Sequence, residues 1–164
     1  MALDKRTIAF IGAGHITGIL LNNLVTTGKL MGRQLVASDP NQDKLQRLSD
    51  QYGIVMANDN IEAVEKSDFV FINVRPQAAG AVIEELSREG PWENKLVVTL
   101  AAGIPMKAYE CLGQNQAIVR ALPNPPSQIG MGIAALAFNP FVTDEQKADI
   151  FEMFGSLGEY VVVG

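Results

Sequence analysis

An α/β fold is predicted for this chain: a doubly wound, mostly parallel sheet with an antiparallel C-terminal edge. Three observations predict it. Short β-rich runs alternate with amphipathic helical stretches over the first two thirds of the sequence. The inner runs are apolar at successive positions, as strands are when helices cover both faces of their sheet. The first strand also passes into the element after it through a glycine-rich turn, "GAGHITG".

Thr7 to Ile11 form the first strand, after which Ile16, Ile19, Leu20 and Leu24 recur at helical spacing until a stop near Gly28. Gln34 to Ser38 read as the second strand. The stretch "NQDKLQRLSDQYG" then has a polar start, Leu45 and Leu48 facing inward, and Gly53 as its stop; Ile54 and Val55 fit a minor strand. "DFVFINV", Asp68 to Val74, is apolar on both faces and suits the centre of the sheet. A helix from about Gln77 to Arg88 follows, then the strand "KLVVTL", a short helix through Met106 to Leu112, and the strand "QAIVRAL". Such alternation is closed by right-handed crossovers into a parallel sheet. The last third departs from it. "MGIAALAFN" follows the proline-rich "LPNPPSQIG" rather than a helix, which suits an antiparallel edge strand. A helix capped by Thr143, with Glu145 and Gln146 in its first turn, leads to a final strand, "YVVV".

Composition narrows the classes of function. A length of 164 residues suits one well-buried domain. Lys and Arg number 13 against 18 Asp and Glu, a net charge of -5 with no block of five like charges, so no nucleic-acid partner is expected. Apolar runs fall well short of the roughly 20 residues that span a bilayer, and the start of the chain lacks a signal-peptide pattern. No membrane partner is expected, and a cytoplasmic location is. The single cysteine, Cys111, cannot form an internal disulfide, and no cluster of His and Cys has metal-ligand spacing, so no metal is expected. No Ser, His and Asp set or carboxylate pair stands out, and the catalytic residues stay unassigned.

The glycine turn is the strongest local signal. A doubly wound sheet binds ligands outside the carboxyl ends of its strands, where the turn after the first strand lies. Gly12 permits the tight turn, and Gly14 lets a diphosphate approach the main chain without meeting a Cβ. The exposed N–H groups and the positive end of the helix dipole then face the ligand. Thr17, at the third position, is larger than the Gly or Ala that usually lets helix and strand pack closely. His15 sits inside the turn, where its backbone matters more than its ring. Asp39, in "VASDPN", follows 25 residues after Gly14 at the tip of the second strand, where a carboxylate can accept both adenosine-ribose hydroxyls and repel a 2'-phosphate. No Lys or Arg occupies the next four positions, so the residues lean to NAD. Asp39 can equally cap the helix after it.

With these motifs the chain resembles the N-terminal dinucleotide-binding domain of pyrroline-5-carboxylate reductase, a Rossmann-like fold. The likeness runs from Ile8 to about Val163 and rests on five ordered motifs: "FIGAGHITG", "VASDPN", "NVRPQ" beside the family's Val-Lys-Pro-Gln, "LAAGI", and "RALPNPP" beside its Met-Pro-Asn-Thr-Pro. The resemblance implies an oxidoreductase that reduces a small cyclic imine to proline with NADP or NAD. It implies cofactor contacts at Ile11, Gly12, Ala13, Gly14, His15 and Ile16 in the turn, and at Ser38 and Asp39 beside it. Asn60 would lie at the adenosine end, although alone it reads as a helix N-cap. Asn73, Val74, Arg75 and Pro76 would flank the cofactor, Ala101, Ala102 and Gly103 would leave room for the nicotinamide, and Asn124 would lie beneath it.

Arg75 replaces the family's usual lysine, His15 its Asn or Gln, and Pro125 a threonine. Asp39 stands where many members carry a residue compatible with a 2'-phosphate. The resemblance also implies a helical second domain that builds a homo-oligomer and supplies most imine contacts. Its Ser-Gly-Ser-Gly-Pro-Ala-Tyr stretch does not occur in these residues, so residues 1–164 are expected to form the NAD(P)-binding domain alone. Two other readings remain open: another reductase of the same fold, acting on β-hydroxy acids or using a deazaflavin, and a non-catalytic dinucleotide-binding module.

Overall fold

Residues 2–101, 103–123, 133–155 and 161–163 are described by a computed structural model. Their strands are β1 (Ile8–Ile11), β2 (Leu35–Ser38), β3 (Val55–Met56), β4 (Phe69–Ile72), β5 (Leu96–Thr99), β6 (Ala117–Pro123), β7 (Ile133–Phe138) and β8 (Val161–Val163). The helices between them are α1 (His15–Thr26), α2 (Gln42–Tyr52), α3 (Asn60–Glu65), α4 (Pro76–Glu89) and α5 (Asp144–Gly155). One sheet results, in the order β3-β2-β1-β4-β5-β6-β7-β8. Pairing is parallel from β3 through β6, and β7 then runs antiparallel to β6. The predicted doubly wound sheet with an antiparallel C-terminal side is therefore observed. The outermost strand is β8, which pairs parallel with β7 and leaves β7 inside the sheet.

Side-chain alternation explains why four-residue strands suffice. Ile8, Phe10, Phe69 and Phe71 face one layer, with Leu20, Leu21 and Leu24 of α1, Leu45 of α2 and Phe154 of α5. Phe10 and Phe71 stack at 4.9 Å between ring centroids, and Phe154 meets Phe71 edge-on at 6.1 Å. Ala9, Ile11, Val70 and Ile72 face the other layer, with Ala63 and Val64 of α3 and Ala79, Ile83 and Leu86 of α4. Every residue of β1, β2, β4 and β5 is buried, the pattern expected of a parallel sheet covered on both faces. No helix among the described residues is long and apolar enough to cross a membrane.

The helix caps refine the sequence reading. Thr143 caps α5 as expected: its hydroxyl accepts from the Gln146 N–H, and Gln146 Oε1 accepts from the Thr143 N–H. Two other expectations shift by a residue or two. Asn41, not Asp39, caps α2, accepting from the Lys44 N–H, because the Asp39 carboxylate is drawn elsewhere. Asp59, not Asn60, caps α3, accepting from the Glu62 N–H at 2.7 Å. The expected short helix at Met106–Leu112 is of the tighter 3-10 form.

Arg6 ties the start of the chain to α5. Its Nε donates to Asp149 Oδ2 at 3.0 Å and a terminal nitrogen donates to Glu145 at 2.6 Å, while its guanidinium lies over the Phe69 ring. The Asp149 side chain is only 3% exposed. Arg6→Met keeps the apolar stem but leaves a buried carboxylate without its cation. It is expected to lower stability by about 2 kcal/mol, the buried-pair figure discounted because Arg6 is itself partly solvated; urea denaturation of both chains checks this.

Candidate functional site

The site is built where β1, β2 and β4 end side by side. Past Ile11 the Gly12 N–H donates to the Ser38 carbonyl, and the Asn73 N–H donates to the Ile11 carbonyl, each at 2.8 Å. These bonds pin the turn between its two neighbouring strands. Gly12 has φ +105°, the left-handed region that a side chain rarely enters, and a Cβ there would lie 2.7 Å from the Asn73 carbonyl oxygen. Gly14 is different: its φ is -80°, and a Cβ would meet nothing within 4 Å. That open space lies at the N-terminus of α1, where no side chain caps the helix. The first amides of a helix have no partner within it, so these present donors and a positive dipole end to the space in front.

The turn already holds one anionic oxygen. Asp39 Oδ2 accepts from the Ala13 N–H at 2.7 Å, and Oδ1 accepts from the Asn41 N–H at 2.8 Å. Beside them Ser38 donates to Asn60 Oδ1 at 2.7 Å, and Asn60 Nδ2 donates to Glu85 on α4 at 2.9 Å. Asn60 thus bridges the tip of β2 to α4, a tertiary role that explains why its neighbour does the capping. Opposite, Thr17 is fully buried; its hydroxyl donates to the Gly12 carbonyl at 2.5 Å and receives Asn73 Nδ2 at 3.2 Å.

A cavity of about 280 Å³ opens among these groups. Of the residues expected from the sequence, Ile11, Gly12 and Gly14 line its floor, Ser38, Asp39 and Asn60 one side, and Asn73, Val74 and Arg75 the other. Ala13 is buried behind the turn, Ile16 packs against the core, and Pro76 opens α4 as its first residue. His15 is exposed and borders the groove between α1 and α2. Ala101 and Gly103 follow β5 outside the cavity. The Ala101 N–H donates to Thr99 Oγ1, whose hydroxyl also shares a 2.8 Å bond with Tyr109; burial pushes the Tyr109 phenol above its usual value and keeps it protonated. Ala102 and Asn124, with Pro125, lie outside the described residues.

Lys44, Ala78 and Val82 also line the cavity and escaped the sequence reading. Ala78 and Val82 stand four apart on α4, the helical spacing that could have flagged them. Lys44 is five residues past Asp39, one beyond the four positions that hold no Lys or Arg. A larger, open cleft of about 700 Å³ lies at the other end of the sheet, bordered by Asp68, Lys95 and Gln116, each just before its strand. Size favours that cleft, but ligands of such sheets bind at the carboxyl ends, where the smaller cavity lies.

The same fold occurs among known proteins. Residues 7–103 match the family model described as NADP oxidoreductase coenzyme F420-dependent. The chain is 33% identical over 162 residues to a pyrroline-5-carboxylate reductase of Escherichia coli (strain K12), covering 97% of this chain and 59% of the relative. It is 34% identical over 152 residues to the one of Pseudomonas aeruginosa, covering 92% of this chain and 55% of that relative. A solved pyrroline-5-carboxylate reductase from Coxiella burnetii superimposes with a TM-score of 0.89 at 27% identity, over 98% of this chain and 60% of that one. The chain thus spans less than two thirds of the relatives it matches. Strand order, glycine turn and matched residues converge: the chain belongs to the NADP oxidoreductase, coenzyme F420-dependent family, and its likeness to pyrroline-5-carboxylate reductases holds over nearly all of its length.

Proposed function

We propose that this chain is the cofactor-binding domain of a pyrroline-5-carboxylate reductase, an NAD(P)H-dependent enzyme that reduces the C=N bond of 1-pyrroline-5-carboxylate to L-proline in proline biosynthesis. The observation that carries the dinucleotide reading is the mouth of α1, where Gly14 leaves space free of any Cβ contact in front of an uncapped helix. The pyrroline-5-carboxylate reductases of about one-third identity support the imine as substrate.

In this reading the amides of the glycine turn and the first turn of α1 hold the pyrophosphate. Asp39 and Lys44 meet the adenosine ribose from the same cavity. The sequence leaned to NAD because Asp39 stood without a cation nearby. Lys44 supplies one, and both Asp39 oxygens are engaged by backbone N–H groups, so the cavity suits NADP as well as NAD. When bound, the nicotinamide supplies the hydride. The protein's task is to hold donor and acceptor carbons roughly 3 to 3.5 Å apart with water excluded. A helical second domain, of the kind the family resemblance implies, would seat the imine and form the oligomer.

Calorimetry of the chain with NADPH and NADH tests the proposal. Saturable binding of at least one, with little or no proline formed by these residues alone, is expected; no heat from either at millimolar concentration would overturn it. A second reading, an NADP reductase acting on a deazaflavin, draws on the description of the matched family. Assay of the chain joined to a helical second domain of the kind the resemblance implies, against both substrates, separates the two.

A further inference from the structure

We propose that the side-chain oxygen of Asn73 recognises the nicotinamide half of the dinucleotide, and that Thr17 is the positioning residue that aims it. The inference rests on the dinucleotide reading above and adds a chemical role for a pair of side chains 56 residues apart.

Proton counting fixes the geometry. Thr17 Oγ1 lies 2.5 Å from the Gly12 carbonyl oxygen and 3.2 Å from the Asn73 amide. A hydroxyl has one proton, and a carbonyl can only accept, so the proton goes to Gly12. Thr17 must then accept from Asn73, which turns the NH2 group toward α1 and Oδ1 away from it. This assigns the amide from the network itself. Oδ1 is left buried, with no partner among the described residues. A buried acceptor in that state is unfavourable, and a ligand that brings a donor relieves it.

Topology says which half of the ligand that is. β1 lies between β2 and β4 in the sheet. With the pyrophosphate over the turn after β1, an adenosine half directed at Asp39 beyond β2 leaves the nicotinamide half to run toward β4 and β5. Asn73 follows β4 and lines the cavity. A carbonyl oxygen there suits a ribose hydroxyl or a carboxamide N–H and disfavours a phosphate oxygen, so the group read is one of those two donors on the nicotinamide nucleotide. Thr17, too large for a position that usually only permits close packing, has its own function in this arrangement.

The test measures, by calorimetry, the affinity of the chain for NADPH or NADH, whichever binds tighter, and for ADP, which keeps the adenosine and pyrophosphate but lacks the nicotinamide nucleotide. Asn73→Ala is expected to weaken the dinucleotide about 10-fold and leave ADP within about twofold. Thr17→Val, equal in shape but without the hydroxyl, should weaken the dinucleotide about 5-fold, also sparing ADP. Thr17→Ser should restore it, and the double variant should bind no more weakly than Asn73→Ala. Retained ADP affinity reports that each variant is folded. Wild-type dinucleotide affinity in Asn73→Ala, or equal loss of both ligands, would overturn the recognition role. Wild-type affinity in Thr17→Val would overturn the positioning role. If the unaltered chain bound neither ligand, the dinucleotide reading would fall first and this inference with it.

Discussion

Gly12→Ala is expected to lower the melting temperature by about 10 °C or more and to abolish dinucleotide binding at the same time. Two independent effects add at this position. The backbone sits at φ +105°, where an L side chain is strained, and the new Cβ would lie 2.7 Å from the carbonyl oxygen and 2.9 Å from the carbonyl carbon of Asn73. Neither neighbour can yield. Asn73 is held by its own N–H bond to the Ile11 carbonyl, and Gly12 by its bond to the Ser38 carbonyl, so relief at one contact breaks another. Strain and overpacking together destabilise by about 3 to 5 kcal/mol. Binding fails because the displaced Gly12 carbonyl is also what Thr17 holds, and the turn moves as a unit. Thermal unfolding followed by circular dichroism checks the first effect and calorimetry with NADPH the second. A melting temperature within about 2 °C of the unaltered chain would show that the turn relaxes far more freely than its hydrogen bonds imply.

The reading of the sheet from the sequence succeeded where local pattern and burial coincide. Phe69 to Ile72 are all buried, so a wholly apolar run could mean only a covered strand. Thr143 capped its helix because the partners that decide the matter, itself and Gln146, are three residues apart. The misplaced caps are the converse. "VASDPN" offers Asp39 and Asn41 to α2, and "NDN" offers Asp59 and Asn60 to α3, all chemically fit to cap. What chose between them was distant in sequence: Ala13, 26 residues away, takes the Asp39 carboxylate, and Ser38 and Glu85 take the Asn60 amide. Lys44 was missed for a related reason, because α2 brings it over the cavity only once the helix forms. The role of Thr17 was hidden as well. As a sequence position it is an oversized third residue of a glycine turn; only when β4 lies beside β1 does its hydroxyl find Asn73.

Gly14→Glu should do the opposite of Gly12→Ala, leaving the fold intact while destroying binding. The backbone at Gly14, with φ -80° and ψ -164°, is open to any residue, and a Cβ there meets no atom within 4 Å. Removing a glycine also restricts the unfolded chain, and a carboxylate at the start of α1 interacts favourably with the helix dipole, so stability should stay level or rise by up to about 1 kcal/mol. The same carboxylate would stand in the space and among the amides assigned to the pyrophosphate, meeting it with like charge. Dinucleotide affinity is expected to fall at least about 100-fold, a loss of some 3 kcal/mol that combines filled volume with charge repulsion. Gly14→Ala separates the two contributions: its single methyl group should weaken binding much less, since it adds volume without charge. Denaturation curves and calorimetry on both variants measure these quantities in the same samples. If Gly14→Glu kept the affinity of the unaltered chain, the open mouth of α1 would not be where the phosphates lie, however well the rest of the cavity fits a nucleotide.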